Sequence, residues 1–271
     1  MVWRPYVSFN IWTQFESPVG QEHWHCDMKR GFARARKKEL LVKALLQKNT
    51  MPQDIGLLAQ RGIYEFHQDI KLLSQSNGFK EVAEKLELNQ KPLEVQQRVI
   101  QILKKYQENP ILLNKTLITL SSGDEGIPEP ILIKQGNYYY NLFAAIDCIC
   151  VESDDRIHIL DFKTGTSNFD RRQAFVYLLA ASYLYPQRKA VASFYNLETG
   201  NCSELITATD SQLKAIQDKL AQIAKAHNKE LSFYKQNPSQ FADIFPPNPG
   251  NTCRNCQFAS ICQFSPVEVA A

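Results

Sequence analysis

Apolar positions recur at three- and four-residue spacing through roughly 30–48, 54–75 and 92–107, which predicts helices over those stretches. Ser8 stands where a helix N-cap is needed, ahead of the apolar pattern in VSFNIWTQFES (7–17). The first 120 residues thus read as mostly helical, and beyond them the texture changes. The stretch EPILIKQGNYYYNLFAAIDCICVESDDRIHILDFKTG is rich in branched and aromatic residues and is interrupted by turn signals at Gly136-Asn137 and at ESDD. It predicts a three-strand meander. Helical spacing returns in NFDRRQAFVYLLAASYLY, starting near Asn168 or Asp170. KAVASFYNL and NCSELITA then flank the turn ETGN as a hairpin, and DSQLKAIQDKLAQIAKAHNKELSFYKQ reads as a long amphipathic helix. A proline-rich link, FPPNPGN, leads to a cluster of cysteines.

This order predicts an α/β (α+β) fold, a mixed central sheet flanked by helices, formed as one body. Residues 30–120 would be a helical lobe or insertion, 121–236 the core, and 245–264 a cysteine-bearing end. A chain of 271 residues with 44% hydrophobic content can fill a sizeable core. No run approaches the ~18 apolar residues of a membrane span, and MVWRPYVSFNIW has no basic segment leading into a long apolar stretch. The expectation is a soluble, cytoplasmic protein with no membrane partner. The net charge is only +3, but KRGFARARKK (29–38) holds six basic residues in ten. Lys29, Arg30 and Arg34 are therefore candidates for contact with a nucleic-acid backbone, although the same charges suit a solvated helix face.

Side chains alternate along a strand, so in ILDFKTG Asp161 and Lys163 share one face while Leu160 and Phe162 take the other. With the turn centred on Asp154, Asp147 lies as far before it as Asp161 lies after it, and the two carboxylates become cross-strand neighbours. Carboxylates held that close repel unless a cation neutralises them. A hard divalent cation such as Mg²⁺ meets that demand and keeps water for a substrate. Lys163, one strand step further on, is placed to offset charge on a phosphorane-like transition state, which makes this a phosphodiester-cleaving arrangement. Glu129, ahead of the first strand, is a third candidate carboxylate. Gln173 and Tyr177 stand four apart on the next helix and can look back over the strand toward a phosphate, sugar or base.

These residues, in AAIDCI, IHILDFKTG and RRQAFVYLLA, resemble the RecB-like branch of the PD-(D/E)XK nuclease superfamily, similar to AddB and the CRISPR-associated exonucleases. The resemblance implies a restriction-endonuclease-like sheet and a metal-dependent DNA nuclease, an exonuclease acting on single strands or ends. Glu129, Asp147, Asp161 and the Phe162 carbonyl would hold Mg²⁺ or Mn²⁺. It also implies a histidine ligand in a G-x-x-x-H pattern on an earlier helix. His67 is the candidate, five residues after Gly62 rather than four. A non-catalytic DNA-binding or scaffold accessory of a helicase-nuclease or defence complex is the other class considered. Partners would be DNA and a helicase, CRISPR or repair protein.

Seven cysteines in a chain without a secretory signal do not suggest a disulfide framework. Cys148, Cys150 and Cys202 read as small buried side chains. Cys253, Cys256 and Cys262 have the spacing C-x2-C-x5-C, which suits an iron-sulfur or zinc centre. In the proteins resembled, a fourth cysteine upstream completes a [4Fe-4S] cluster, and Cys26 stands in that place. Zinc is the alternative, with His25 as a further ligand option.

Overall fold

In the computed structural model, which describes residues 4–165 and 169–266, the chain opens with β1 (Tyr6–Ser8) and α1 (Phe9–Phe15). The Ser8 side chain accepts the Ile11 N–H at 3.2 Å and caps α1 as expected. Next come α2 (Asp27–Arg34) and α3 (Leu40–Leu46) where one helix over 30–48 was expected. The interruption at 35–39 lets Val42 turn into a cluster with Met28, Phe32 and Phe258. α4 (Met51–Gln68) begins where Gln53 accepts the Thr50 N–H at 2.8 Å, and it ends short of residue 75 because Asp69 caps a separate turn. α5 (Gly78–Lys85) falls between the expected helices, and α6 (Leu93–Glu108) follows.

The strands are β2 (Thr116–Leu120), β3 (Ile131–Gln135), β4 (Tyr138–Phe143), β5 (Cys148–Val151) and β6 (Ile157–Lys163). The chain continues through α7 (Arg171–Leu184), β7 (Ala190–Asn196), β8 (Asn201–Cys202), α8 (Asp210–Gln236), α9 (Phe241–Ile244) and α10 (Asn251–Arg254). Asp170 caps α7 by accepting the Arg172 N–H at 3.0 Å, and the other expected start, Asn168, lies outside the described residues.

The expected three-strand meander is four strands in two sheets. Residues 144–147 leave the extended ladder, so β3 and β4 join β1 in the order β1-β4-β3, while β5 and β6 enter a five-stranded sheet, β2-β5-β6-β7-β8. In that larger sheet β6 runs parallel to β7 and the other pairings are antiparallel. Two mixed sheets flanked by helices give the expected mixed α/β class, consistent with the restriction-endonuclease-like fold.

Two compact units divide the chain. One comprises Met1–Asn49, Leu132–Phe143 and Gln217–Ala271. The other comprises Thr50–Ile131 and Ala144–Ile216. The basic stretch and the cysteine-rich end thus fall in the first unit, and α4–α6 with the five-stranded sheet in the second. In the second unit Cys148, Leu160, Phe162 and Tyr195 pack with the apolar faces of α4 and α6. α7 packs on β6 and β7 from the side that Asp161 faces. No helix among the described residues is long and apolar enough to cross a membrane.

Candidate active site

β6 is buried along nearly its whole length, and Asp161 near its end is 3% exposed. In the β5–β6 pairing Cys148 opposes Leu160 and Ile149 opposes Ile159. Carried one step further, this register sets Asp147 opposite Asp161, as the symmetric spacing about Asp154 requires. Gly165, at φ +85, turns the chain away directly after the strand, a conformation that favours glycine. The Asn196 side-chain amide holds that turn by donating to the Gly165 carbonyl at 2.7 Å.

The two carboxylates are fixed by different elements. Asp147 Oδ2 accepts the Phe162 N–H at 2.8 Å and its Oδ1 accepts the Gln60 amide at 3.1 Å. Asp161 Oδ1 accepts the Gln173 amide at 2.9 Å. Its Oδ2 meets the Lys163 ammonium as an ion pair but lacks hydrogen-bond geometry, so it is a buried carboxylate oxygen with no hydrogen bond. The Lys163 ammonium donates instead to Gln173 Oε1 at 2.9 Å. Gln173 therefore touches both members of the D-x-K pair. Its amide also donates to the Tyr177 hydroxyl at 2.7 Å, and Tyr177 donates in turn to the Ala145 carbonyl.

Burial, and then the neighbouring charge of Asp161, push the Asp147 carboxyl up to about 7. Burial also raises Asp161, with Lys163 opposing the shift. Ionised together, the pair is unfavourable without a further cation, since desolvation and like charge both penalise the second negative charge. These groups border a cleft of about 310 Å³.

The other expected site residues are placed differently. Glu129 is exposed in the coil before β3 and does not border the cleft. The break at 144–147 is the reason, because it sends β3 into a different sheet from Asp161. His67 also lies away from the cleft, with Nε2 2.6 Å from the Tyr106 hydroxyl and its pKa lowered by burial. The α4 side chain that reaches the carboxylates is Gln60, seven residues earlier and about 10 Å up the helix axis. The sequence held a signal for it: Gly56 and Gln60 stand four apart, the spacing of G-x-x-x-H with glutamine in place of histidine. Gly62, by contrast, serves packing, since a Cβ there would lie 2.2 Å from Leu103 Cδ2.

Gln173 and Tyr177 are 9% and 5% exposed and spend their polar groups inside the protein, which leaves them little to offer a nucleic-acid strand. In the first unit Lys29 is exposed, whereas Arg30 is 3% exposed. Arg30 is paired with Asp27 and Glu230 and lies 3.8 Å over the Phe15 ring, so it cannot meet a phosphate. Half-buried Arg34 donates to Gln14 Oε1 at 2.9 Å. Cys26, Cys253, Cys256 and Cys262 border one cavity of about 180 Å³, against Met28, Phe32 and Phe258.

A deep carboxylate pair with a strand-borne lysine, set on a mixed sheet between helices, defines the class of the restriction-endonuclease-like nucleases. The chain belongs to the PD-(D/E)XK nuclease superfamily, whose family model matches residues 26–263, from Cys26 to the residue after Cys262. Nucleases of this superfamily use divalent metals. No curated protein matches the chain. Among solved structures, the crystal structure of SSO0001 is 13% identical, with a TM-score of 0.31 over 88% of this chain and 94% of that one.

Proposed function

We propose that this protein is a metal-dependent DNA nuclease of the RecB-like branch, working as an exonuclease on single strands or ends. The observation that carries the reading is the buried Asp161 Oδ2, which has no hydrogen bond, beside the Asp147 carboxylate and the Lys163 ammonium. A hard divalent cation relieves the repulsion of such a pair and gives Asp161 Oδ2 a partner beyond its ion pair with Lys163. Asp147, Asp161, the Phe162 carbonyl and the Gln60 amide oxygen, after a half-turn of that amide, are the groups that would hold Mg²⁺ or Mn²⁺. The cation supplies a more acidic water and charge neutralisation at the scissile phosphate. Lys163, oriented by Gln173, stabilises negative charge developing on the phosphate oxygens as water attacks in line. Gln173 and Tyr177 hold the D-x-K pair in place. Exposed Lys29, with Lys37 and Lys38, supplies the phosphate-facing charge of the basic stretch.

We further infer that Cys26, Cys253, Cys256 and Cys262 hold a [4Fe-4S] cluster. Four thiols bordering one cavity of about 180 Å³ suit a metal centre held by cysteine, and the resemblance to the iron-sulfur nucleases favours the cluster over zinc. Anaerobic purification should give brown protein that carries iron and acid-labile sulfide, both lost in Cys256→Ser. Zinc without iron in the anaerobic protein would overturn this assignment.

The nuclease reading is tested with end-labelled single- and double-stranded DNA, and RNA, in Mg²⁺ or Mn²⁺, alongside Asp161→Asn and Lys163→Met. Shortening of DNA from its ends that both substitutions slow at least about 100-fold is the expected result. Cleavage that proceeds at the wild-type rate after either substitution would overturn the site, and internal cuts alone would overturn the exonuclease assignment.

A further inference from the structure

On the opposite face of β5 and β6 from the carboxylates, a second set of donors converges. Cys150 and His158 are directly paired across the two strands, and Glu152 follows Cys150 by two residues at the start of the hairpin turn. All three project to one side, because strand side chains alternate, whereas Asp147 and Asp161 occupy the positions of opposite parity. One ligand atom from each of Cys150, Glu152 and His158 lies within 4.8 Å of the others, the only such group of three among the described residues. We propose that these three residues form a metal site distinct from the carboxylate cleft, for a borderline divalent cation of the zinc type.

The donor set selects the class of metal. Thiolate and imidazole suit Zn²⁺ or Co²⁺ and are poor ligands for Mg²⁺, which prefers oxygen alone. The histidine is already oriented: its Nε2 lies 2.8 Å from the Ser193 hydroxyl, which leaves Nδ1 directed at Glu152, 2.6 Å from Oε1. A fixed outer nitrogen of this kind is the usual support of a metal-bound histidine. The thiolate and carboxylate together neutralise a dication. The fourth position is open to water through the side of Glu152, whose side chain is 21% exposed, while that of His158 is 11% exposed.

The Lys115 ammonium lies 2.7 Å from both Glu152 oxygens and competes with a cation for them. It therefore sets the affinity. A hydrolytic Ser-His-Glu triad is the other reading of Ser193, His158 and Glu152. It fails because Ser193 is 2% exposed and sits within the β6–β7 ladder, out of reach of any substrate.

The site would clip the β5–β6 hairpin at the end away from Asp161. The test titrates Co²⁺, then Zn²⁺, into the full-length protein in excess Mg²⁺, which occupies the carboxylate cleft. One Co²⁺ should bind with tetrahedral visible bands and a single-thiolate charge-transfer band, and Zn²⁺ should displace it and raise the melting temperature. Cys150→Ala and His158→Ala should lose the bands, and Ser193→Ala should weaken binding about 10- to 100-fold. Glu152→Gln, a change on the hairpin turn rather than inside the buried strands, should weaken binding with the fold intact by circular dichroism. Lys115→Met should bind more tightly. Bands that persist in both Cys150→Ala and His158→Ala, or that vanish in Cys256→Ser, would overturn the proposal, as would weaker binding by Lys115→Met.

Discussion

Asp147 Oδ2 accepts the main-chain N–H of Phe162, the residue that separates Asp161 from Lys163, at 2.8 Å. One carboxylate of the site is thus tied to the backbone of the strand that carries the other. This hydrogen bond favours the ionised form, yet burial and the Asp161 charge outweigh it and hold the Asp147 carboxyl at about 7.

A pH dependence of stability follows. Between the ordinary value of 3.8 and about 7, the folded protein keeps a proton that the unfolded chain has released. The Asp147 contribution to the stability of the metal-free protein is therefore fully present below that window and is lost as pH rises through about 7. Thermal melts in chelator should show this loss, on the order of 1 to 4 kcal/mol at about 1.4 kcal/mol per pKa unit. Mg²⁺, which binds the ionised pair, should restore the stability, and Asp147→Asn should flatten the curve.

Lys163→Met should lower the single-turnover cleavage rate about 100- to 1000-fold, the usual effect of removing one donor that stabilises transition-state charge. Mn²⁺ affinity should hold or rise, because Asp161 loses its competing cation. Calorimetry beside the cleavage assay separates the two effects.

Gln173→Ala removes the amide that contacts both Asp161 and Lys163. A positioning role predicts that kcat falls about tenfold or more while KM for DNA stays unchanged. A rise in KM alone would assign Gln173 to strand binding instead.

In the proposed metal site Gln60 stands where a histidine ligand would be expected. Gln60→His should keep nuclease activity and shift the metal preference from Mg²⁺ toward Mn²⁺ or Co²⁺, since an imidazole nitrogen favours transition metals over Mg²⁺. Activity ratios across the three cations measure the shift, and His67→Ala should leave those ratios unchanged.

Gly62→Ala should destabilise the fold by about 1 to 3 kcal/mol, the cost of overpacking a tight contact, because its Cβ would meet Leu103 at 2.2 Å. Chemical denaturation measures this. Cleavage per folded molecule should not change.

The carboxylate register was legible in the sequence because a strand hairpin is local: turn position and two-residue alternation fix which side chains oppose each other. The same logic placed Ser8 as a cap and Gly165 as the exit turn. It failed for Glu129, because nothing in the apolar run YYYNLFAAIDCICV marks the point at which the chain leaves one sheet for another. His67 was misread for a similar reason. Helical periodicity says which residues share a face, and Gln60 and His67, seven apart, share one. Only the packing of α4 decides which turn of that face reaches the carboxylates. The fate of Arg30 and of the Gln173 and Tyr177 side chains was likewise beyond the sequence, since a charge or amide reads as exposed until its buried partners, Glu230 or Asp161, arrive from distant segments.

The sequence by itself determined the class of fold and the Asp147–Asp161–Lys163 constellation, because these rest on short-range alternation and on residue chemistry, whereas Cys26 joined the three later cysteines only through the family resemblance. The tertiary structure alone decided which helix turn completes the site, which basic residues remain free and where Cys150, Glu152 and His158 meet Lys115 and Ser193. Those outcomes depend on long-range packing, where burial sets the cost of each polar group and so selects its partner.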